Sequence, residues 1–162
     1  MTDNTSDVPG VIIFPPLIPL FVLVIGTILN LVIPLNLLTH APLQGRVVVG
    51  TIAFIVGSGM VIGANRIFRH IGTNVRPSQP TLALATTGMY AWTRNPMYLG
   101  GGIALLGIAI GCALDWVALL LVLSLPLVHC GIIQREERYL ERKFGDEYRR
   151  YKSKVPRYWW RF

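Results

Sequence analysis

The stretch that decides the fold is residues 116–151, WVALLLVLSLPLVHCGIIQREERYLERKFGDEYRRY. Its first half, up to Ile133, contains no Asp, Glu, Lys or Arg, whereas more than half of the following positions are charged. An uncharged run of about 18 residues approaches the ~20 that a helix needs to cross the hydrocarbon core of a bilayer. We therefore predict a helix that leaves the membrane near Ile133 and continues as a polar segment.

Three further apolar runs precede this stretch. Hydrophobic residues make up 52% of the chain and charged residues 14%, which is too apolar for an ordinary soluble domain. We therefore predict an all-α fold, an integral membrane bundle of four transmembrane helices with a cytosolic amphipathic C-terminal helix, forming a single domain over residues 1–162. The predicted spans are residues 17–38, 47–67, 98–114 and 116–133, and the predicted cytosolic segments are residues 72–97 and 134–157.

The distribution of positive charge predicts the orientation of this bundle. All Lys and Arg residues except Arg46 lie within residues 65–96 or after Ile133. Because basic loops remain on the cytosolic side, both segments, and with four crossings both termini, are expected in the cytosol. The net charge of +7 is thus explained by topology, and no nucleic-acid partner is expected.

Small residues indicate how the helices pack. Gly59 and Gly63, like Gly107 and Gly111, are glycines four positions apart, a spacing that lets helices approach closely. Asp115 alone separates the last two predicted spans, which predicts a tight antiparallel hairpin. We expect close packing within one bundle.

The N-terminal part of the chain and the cysteines limit other interpretations. Residues 1–10 lack a basic segment and a small-residue cleavage site, so no cleavable signal peptide is expected. Pro34 is expected to kink the first span near its far end. Cys112 and Cys130 are expected near opposite membrane surfaces as small core residues, without a disulfide.

The polar C-terminal segment has an apolar stripe formed by Leu140, Phe144, Tyr148 and Tyr151, at steps of four, four and three. Gly145 followed by an aspartate predicts a helix break and a new start. An interfacial helix that meets anionic lipid headgroups would explain most of this segment, with Tyr158, Trp159 and Trp160 as aromatic anchors. It would not explain two adjacent carboxylates, Glu136 and Glu137, because acidic groups gain nothing from anionic lipid.

Two further positions suggest a polar site at this membrane face. Asn95 followed by Pro96 predicts a helix start with Asn as the cap, whose free N–H groups beside Arg94 would fit a carboxylate or phosphate. An ordinary capped helix is the alternative. His129 shares a helical face with Glu136 two turns away, and as an intramembrane ionisable group it is either a functional residue or a histidine held by a neighbouring helix.

Three motifs carry a family resemblance: RNPMYLG at residues 94–100, EERYL at 136–140 and FGDEY at 144–148. Together they resemble the isoprenylcysteine carboxyl methyltransferase and phospholipid methyltransferase family. The resemblance implies a membrane methyltransferase that uses S-adenosylmethionine at the cytosolic face and receives a lipophilic acceptor from the bilayer. The eukaryotic isoprenylcysteine enzymes have His at the position of Asn95 and an arginine at that of Ile132, which argues against a prenylated protein as the acceptor.

The resemblance and the chemistry of the ligand together imply a set of site residues. Glu136 or Glu137 would bind the ribose diol or the amino group, the helix start at Asn95 would hold the carboxylate, and Tyr90 or Tyr98 would face the sulfonium. The predicted cofactor contacts are Leu82, Ala83, Leu84, Ala85, Tyr90, Asn95, Pro96, Met97, Tyr98, Glu136 and Glu137. Arg135 and Glu136 are the predicted catalytic residues, and no metal is expected, since no cluster has metal-ligand spacing.

Two other functions remain open from the sequence. Membrane sterol reductases have a similar helical arrangement and bind NADPH, and a non-enzymatic four-helix anchor would bind membrane lipids through its basic tail. If the protein is a methyltransferase, the acceptor is an isoprenylcysteine-like carboxylate, a phospholipid amine or a small thiol. The oligomeric state is not determined by the sequence.

Overall fold

The computed structural model describes residues 7–75 and 79–159, in which the regular secondary structure is helical and no strand occurs. Parts of three predictions lie outside these ranges: residues 1–6 of the polar N-terminus, residues 76–78 of the first cytosolic segment, and Trp160 among the aromatic anchors. The main helices are α1 (Leu17–Val32), α2 (Leu43–His70), α3 (Pro96–Gly111), α4 (Asp115–Val128), α5 (Gln134–Phe144) and α6 (Asp146–Lys154).

A π-helical turn, His129–Ile133, joins α4 to α5, so that the chain is helical without interruption from Asp115 to Phe144. A π turn inserts extra backbone into a helix and changes which side chains share a face. Pro126 lies within α4, just before this turn. The apolar and charged halves of residues 116–144 therefore belong to one helix.

Two of the described helices are long and apolar enough to cross a membrane, α2 with 28 residues and the continuous Asp115–Phe144 helix with 30. At ~1.5 Å per residue each exceeds the ~30 Å hydrocarbon core, so each would extend beyond it. The shorter apolar helices α1 and α3 have 16 residues each. The first span is shorter than predicted because α1 ends at Val32, two residues before Pro34, so this proline follows the helix end instead of kinking the helix.

Helix α2 packs along α3 through glycines. A Cβ atom added to Gly50 would lie 2.6 Å from the carbonyl oxygen of Gly107, and one added to Gly107 would lie 2.6 Å from that of Gly50. The prediction for Gly107 is thus confirmed. The prediction that Gly59 and Gly63 form a helix–helix contact was wrong, because Gly59 has open space around its Cα and Gly63 faces only the Met89 side chain.

The end of the bundle near Asp115 is tied by polar contacts. The buried Asp115 carboxylate accepts the backbone N–H groups of Leu37 and Leu38 at 3.0 and 2.9 Å. The Trp116 indole N–H donates to the Ile33 carbonyl at 2.7 Å. The α3–α4 connection has only three residues, which confirms the tight hairpin.

Both cysteines are exposed, so the expectation that they are core residues was wrong. Cys112 is at the C-terminal end of α3, and Cys130 lies in the π turn. At these positions the side chains face outward from the described bundle. They remain free thiols in this structure.

The predicted C-terminal helix is two helices. Helix α5 ends at Phe144, Gly145 has a positive φ of 52°, and α6 begins at the next residue, so the predicted break is confirmed. Asp146 does not cap α6; its carboxylate instead pairs with Arg149. The apolar stripe packs inward, where Tyr148 and Tyr151 contact Val155, Leu84, Leu140 and Phe144, so its main role is packing rather than lipid contact.

Candidate functional site

A cavity of about 560 Å³ lies between α1, α3, α4 and α5, within the ~300–1,000 Å³ range of small-molecule sites. Its lining changes character along its length. Apolar side chains of α1, α3 and α4 line one part, with Ile18, Val22, Leu105, Leu121, Leu125 and Val128 among them. Polar residues line the other part, next to the start of α3 and the first turns of α5: Arg94, Asn95, Tyr98, Glu136, Glu137 and Tyr139.

Glu136 is a half-buried carboxylate at the junction of these two parts. Its Oε1 accepts the Tyr98 hydroxyl at 2.7 Å, which is its hydrogen bond within the described residues. Burial raises the pKa of Glu136 to about 7, although the Tyr98 hydrogen bond opposes the shift; the neighbouring Glu137 charge adds to it. Such a carboxyl can gain or lose a proton near neutral pH.

Glu137 is held in a different way. Arg157 donates from Nε to Oε1 at 3.0 Å and from Nη2 to Oε2 at 2.8 Å, a bidentate pair. The Nη2 atom of Arg94 lies 3.1 Å from the same Oε1. With both oxygens engaged, the Glu137 carboxylate serves as a structural link between α5, the segment that leads into α3 and the C-terminal tail after α6, residues 155–159.

Arg94 is a buried cation whose guanidinium group is only partly paired. Its side chain is only 8% exposed, lines the cavity and is paired to Glu137 through Nη2, yet its Nε and Nη1 have no hydrogen-bond partner within the described residues. Leaving such a buried donor unpaired costs about 1–3 kcal/mol. A guanidinium in this state is suited to bind an anionic group of a ligand.

The start of α3 is also open. Asn95 occupies the cap position, but its amide donates to the Arg157 carbonyl at 3.1 Å and makes no capping hydrogen bond. The predicted capping role was therefore wrong, because the tail competes for this side chain. The first N–H groups of α3 consequently lack a side-chain acceptor beside Arg94, an arrangement that favours a bound anion.

Helix α6 and the C-terminal tail hold the polar part of the cavity together. The Arg94 N–H donates to the Pro156 carbonyl at 3.0 Å, and the Tyr151 hydroxyl donates to the Tyr90 carbonyl at 2.7 Å. Tyr90 is buried and its ring stacks on Phe68 with centroids 5.1 Å apart. Burial raises the pKa of Tyr90 well above its usual value, so the phenol stays neutral. The polar segments before α3 and after α4 thus fold into one site, as the sequence predicted.

Comparison with known proteins agrees with this geometry. The profile of the phospholipid methyltransferase family matches residues 45–147, more than half of the chain, including α3 and α5. The chain belongs to this family. The predicted family membership is confirmed, and with the apolar helices it identifies a membrane methyltransferase.

Two known proteins are similar to parts of the chain. It is 35% identical over 99 residues to the protein-S-isoprenylcysteine O-methyltransferase of Schizosaccharomyces pombe, covering 61% of this chain and 41% of that enzyme. It is 40% identical over 70 residues to an uncharacterized protein of Haemophilus influenzae, covering 43% of this chain and 86% of that protein. No solved structure matches. The chain spans less than half of the yeast enzyme that it resembles.

Most of the predicted site residues line the cavity. Those present are Ala83, Leu84, Ala85, Tyr90, Asn95, Pro96, Met97, Tyr98, Glu136 and Glu137. Leu82 is not part of the lining and is 64% exposed, because its neighbours on the extended segment point inward instead. Arg135 also lies outside the lining and donates from Nη1 to the Gly10 carbonyl at 3.0 Å, and its role in orienting an acceptor stays a prediction.

His129 is engaged within the protein. Its Nδ1 lies 2.7 Å from the Tyr158 hydroxyl, and its Nε2 lies 2.9 Å from the Gln134 amide nitrogen. Both ring nitrogens thus have partners, and the residue is not part of the cavity lining. This arrangement supports the structural interpretation of His129, as a link between α4 and the C-terminal tail.

Two residues of this site were not predicted from sequence patterns. Tyr139 lines the cavity, and Arg157 neutralises Glu137. Tyr139 follows Glu137 by two positions and lies outside the apolar stripe, so the helical spacing of apolar residues did not indicate that it lines a cavity. Arg157 comes from the end of the chain, and its partner becomes evident only once the tail has folded back. Within residues 7–75 and 79–159 no group of three or more potential ligands is placed to hold a metal ion.

Proposed function

We propose that the protein is an S-adenosylmethionine-dependent methyltransferase that modifies a lipophilic acceptor inside the membrane. The observation that carries this proposal is the single cavity in which a buried, partly unpaired Arg94 and the open start of α3 meet an apolar lining. Family membership supports the reaction class. The polar end of the cavity suits a charged nucleoside, and the apolar end suits a hydrocarbon chain.

The polar part fits the groups of this cofactor. Its carboxylate matches the unpaired Nε and Nη1 of Arg94 together with the first N–H groups of α3. Its ammonium group or ribose hydroxyls match the Glu136 carboxylate, which has acceptor capacity beyond the Tyr98 hydrogen bond. The neutral Tyr90 ring offers a π face near the positive sulfonium.

The chain's own groups act mainly by positioning. S-adenosylmethionine supplies an electrophilic methyl group on a sulfonium, and transfer to a nucleophile disperses that charge. The apolar lining from α1, α3 and α4 excludes water and aligns the acceptor, which can account for a large part of the rate. Glu136 at the junction can accept a proton from the acceptor, since burial raises its pKa to about 7.

We also infer that the bundle spans the membrane four times, with the polar end of the cavity in the cytosol. Helices α1 and α3 are short, but apolar residues extend beyond α1 at both ends, from Val11 to Leu38. Basic residues are found at the end of α2, before α3 and on α5 and α6, and the positive-inside rule favours a cytosolic location for these segments. Both termini would then be cytosolic.

The charges of the lining favour one group of acceptors. Arg94 is the cation that lines the cavity within the described residues, and it is already paired to Glu137 at the polar end. The apolar part thus offers a carboxylate, Glu136, and no cation to an incoming acceptor. This arrangement favours an amine or a thiol over a carboxylate.

The first experiment measures cofactor binding by calorimetry with the full chain in nanodiscs. We expect saturable binding of S-adenosylmethionine and no binding of NADPH. Arg94→Lys retains the charge beside Glu137 but removes the planar donors, so affinity should fall by more than about tenfold. Arg149→Lys, at an exposed pair on α6, is the matched control and should change nothing. Binding of NADPH alone would support the reductase alternative and overturn the proposal.

A second experiment tests the apolar half. Gly101 lines the cavity, and a Cβ atom there would meet nothing within 4 Å. Gly101→Phe should fill the acceptor space and abolish methyl transfer to lipophilic acceptors while leaving cofactor affinity within about twofold. Gly59→Phe on α2, also in open space but outside the lining, is the control. Unchanged transfer in Gly101→Phe would show that the acceptor binds elsewhere.

A further inference from the structure

The N-terminal strap, residues 7–16, crosses the polar part of the cavity before α1 begins. Pro9, Phe14 and Pro15 line the cavity from this strap. The Ile12 N–H donates to the Gly131 carbonyl at 3.3 Å, and Gly10 has a positive φ of 60° with open space around it. The strap therefore covers the cavity while being attached to the π turn and α5 at a few points.

A second non-helical segment, residues 79–87, covers the cavity from another side. Thr81, Ala83 and Ala85 belong to the lining. Within the segment, the Leu82 and Ala83 N–H groups both approach the Thr73 Oγ1, at 2.9 and 3.2 Å. This segment is thus tied to the chain just after α2, whereas the strap is tied to α5.

The Tyr139 hydroxyl on α5 connects the strap and the 79–87 segment. It donates to the Asp7 carboxylate at 3.0 Å and accepts the Thr81 N–H at 3.0 Å and the Lys143 ammonium at 3.2 Å. A phenol has one proton to donate and two lone pairs, so all its hydrogen-bonding positions are used. Lys143 also contacts the Asp7 carboxylate at 2.6 Å, which reinforces the connection to the strap.

We propose that Tyr139 is a positioning residue that latches the strap and the 79–87 segment over the cavity, so that both open together when the ligand exchanges. This proposal rests on the proposed function for the identity of the ligand. Its physical basis is that Tyr139 is only 4% exposed and its single oxygen holds both segments. Displacement of the Tyr139 hydroxyl breaks the hydrogen bonds to both segments at once, whereas loss of the Asp7 carboxylate breaks only the bond to the strap.

The latch is tested first without a ligand, by hydrogen–deuterium exchange on the full chain in nanodiscs. Tyr139→Phe retains the ring but removes the shared oxygen, so amides of residues 8–14 and 81–85 should both exchange at least fivefold faster. Asp7→Ala, at an exposed position, should accelerate only residues 8–14. Tyr158→Phe removes a hydroxyl outside the cavity, bound to His129, and should accelerate neither. Loosening of one segment alone in Tyr139→Phe would overturn the latch.

The second measurement is the dissociation rate of radiolabelled S-adenosylmethionine in a chase experiment. Tyr139→Phe should release the label at least fivefold faster, and Asp7→Ala should have a smaller effect. Unchanged release in a Tyr139→Phe variant with both segments loosened would overturn the latch as a gate. If the wild-type chain binds no label at all, the proposed function fails, whereas the exchange measurement still decides whether Tyr139 couples the two segments.

Discussion

The two ends of the bundle each contain an acidic side chain from the continuous Asp115–Phe144 helix, and these two side chains have opposite roles. At one end Asp115 opens α4 and accepts two backbone N–H groups, from Leu37 and Leu38, so its carboxylate is satisfied by the fold. At the other end Glu136 has a single tyrosine partner within the described residues and lines a cavity that an arginine with unpaired donors also lines. The Asp115 end therefore contributes stability, whereas the Glu136 end retains polar groups that can bind a ligand.

The contrast is sharpened by the neighbouring residues Glu136 and Glu137. Glu137 follows Glu136 directly on α5, so its carboxylate points in a different direction and lies between Arg94 and Arg157. The cavity end thus contains its own structural carboxylate beside the functional one. Stability and binding should therefore respond separately to substitutions at these two positions.

The largest expected effect is the loss of the buried ion triad. Glu137→Gln removes the charge that compensates Arg94, and breaking such a pair typically costs about 3–5 kcal/mol. Unfolding in denaturant, followed by circular dichroism, measures the loss. Glu141→Gln removes an exposed ion pair with Lys152 and should cost no more than about 1 kcal/mol. Equal effects of the two substitutions would show that the triad does not hold the cavity end.

The opposite end should show a change in stability alone. Asp115→Ala leaves two backbone N–H groups without their acceptor and should lower the free energy of unfolding by about 1–3 kcal/mol. Cofactor affinity, measured by calorimetry below the unfolding transition, should remain unchanged. A parallel loss of affinity would mean that the two ends are coupled and that the contrast drawn between them is wrong.

The smallest effect concerns protonation of Glu136, whose pKa is raised from the usual 4.5 to about 7. A ligand with an ammonium group prefers the ionised carboxylate, so affinity should rise by up to about tenfold as the pH increases through 7. Glu136→Gln should show weaker binding with a flat pH profile. In the ligand-free protein the raised pKa has the opposite consequence: stability falls between pH 4.5 and 7, where the unfolded chain ionises first.

The control for this measurement is Glu147→Gln on the exposed surface of α6, which should keep the wild-type pH profile. A pH profile that persists in Glu136→Gln would assign the titration to another group. Such a result would remove Glu136 from the proposed proton transfer but leave the anion site at Arg94 untouched. Binding and proton acceptance at the junction can thus be separated.

Local patterns predicted much of the fold. The uncharged runs, the Asn95–Pro96 helix start and the Gly145 break are properties of short stretches, because span length, proline geometry and glycine conformation depend on neighbouring residues. The α1 end was missed by a few residues because hydropathy continues past Val32, while the backbone before Pro34 does not remain helical. Glycine spacing alone did not distinguish Gly59, in open space, from Gly50, which packs against α3.

The sequence by itself determined that the chain is helical, strongly apolar with a polar C-terminal part, and a member of a membrane methyltransferase family. Only the tertiary structure decided which of the two adjacent glutamates is paired to arginines, that Arg94 retains unpaired donors and that Tyr139 contacts both the strap and the 79–87 segment. The physical reason is that a side chain's burial and partners depend on segments far away in the chain. Arg157 reaches back twenty residues to Glu137, and Asp7 reaches Tyr139 across almost the whole sequence.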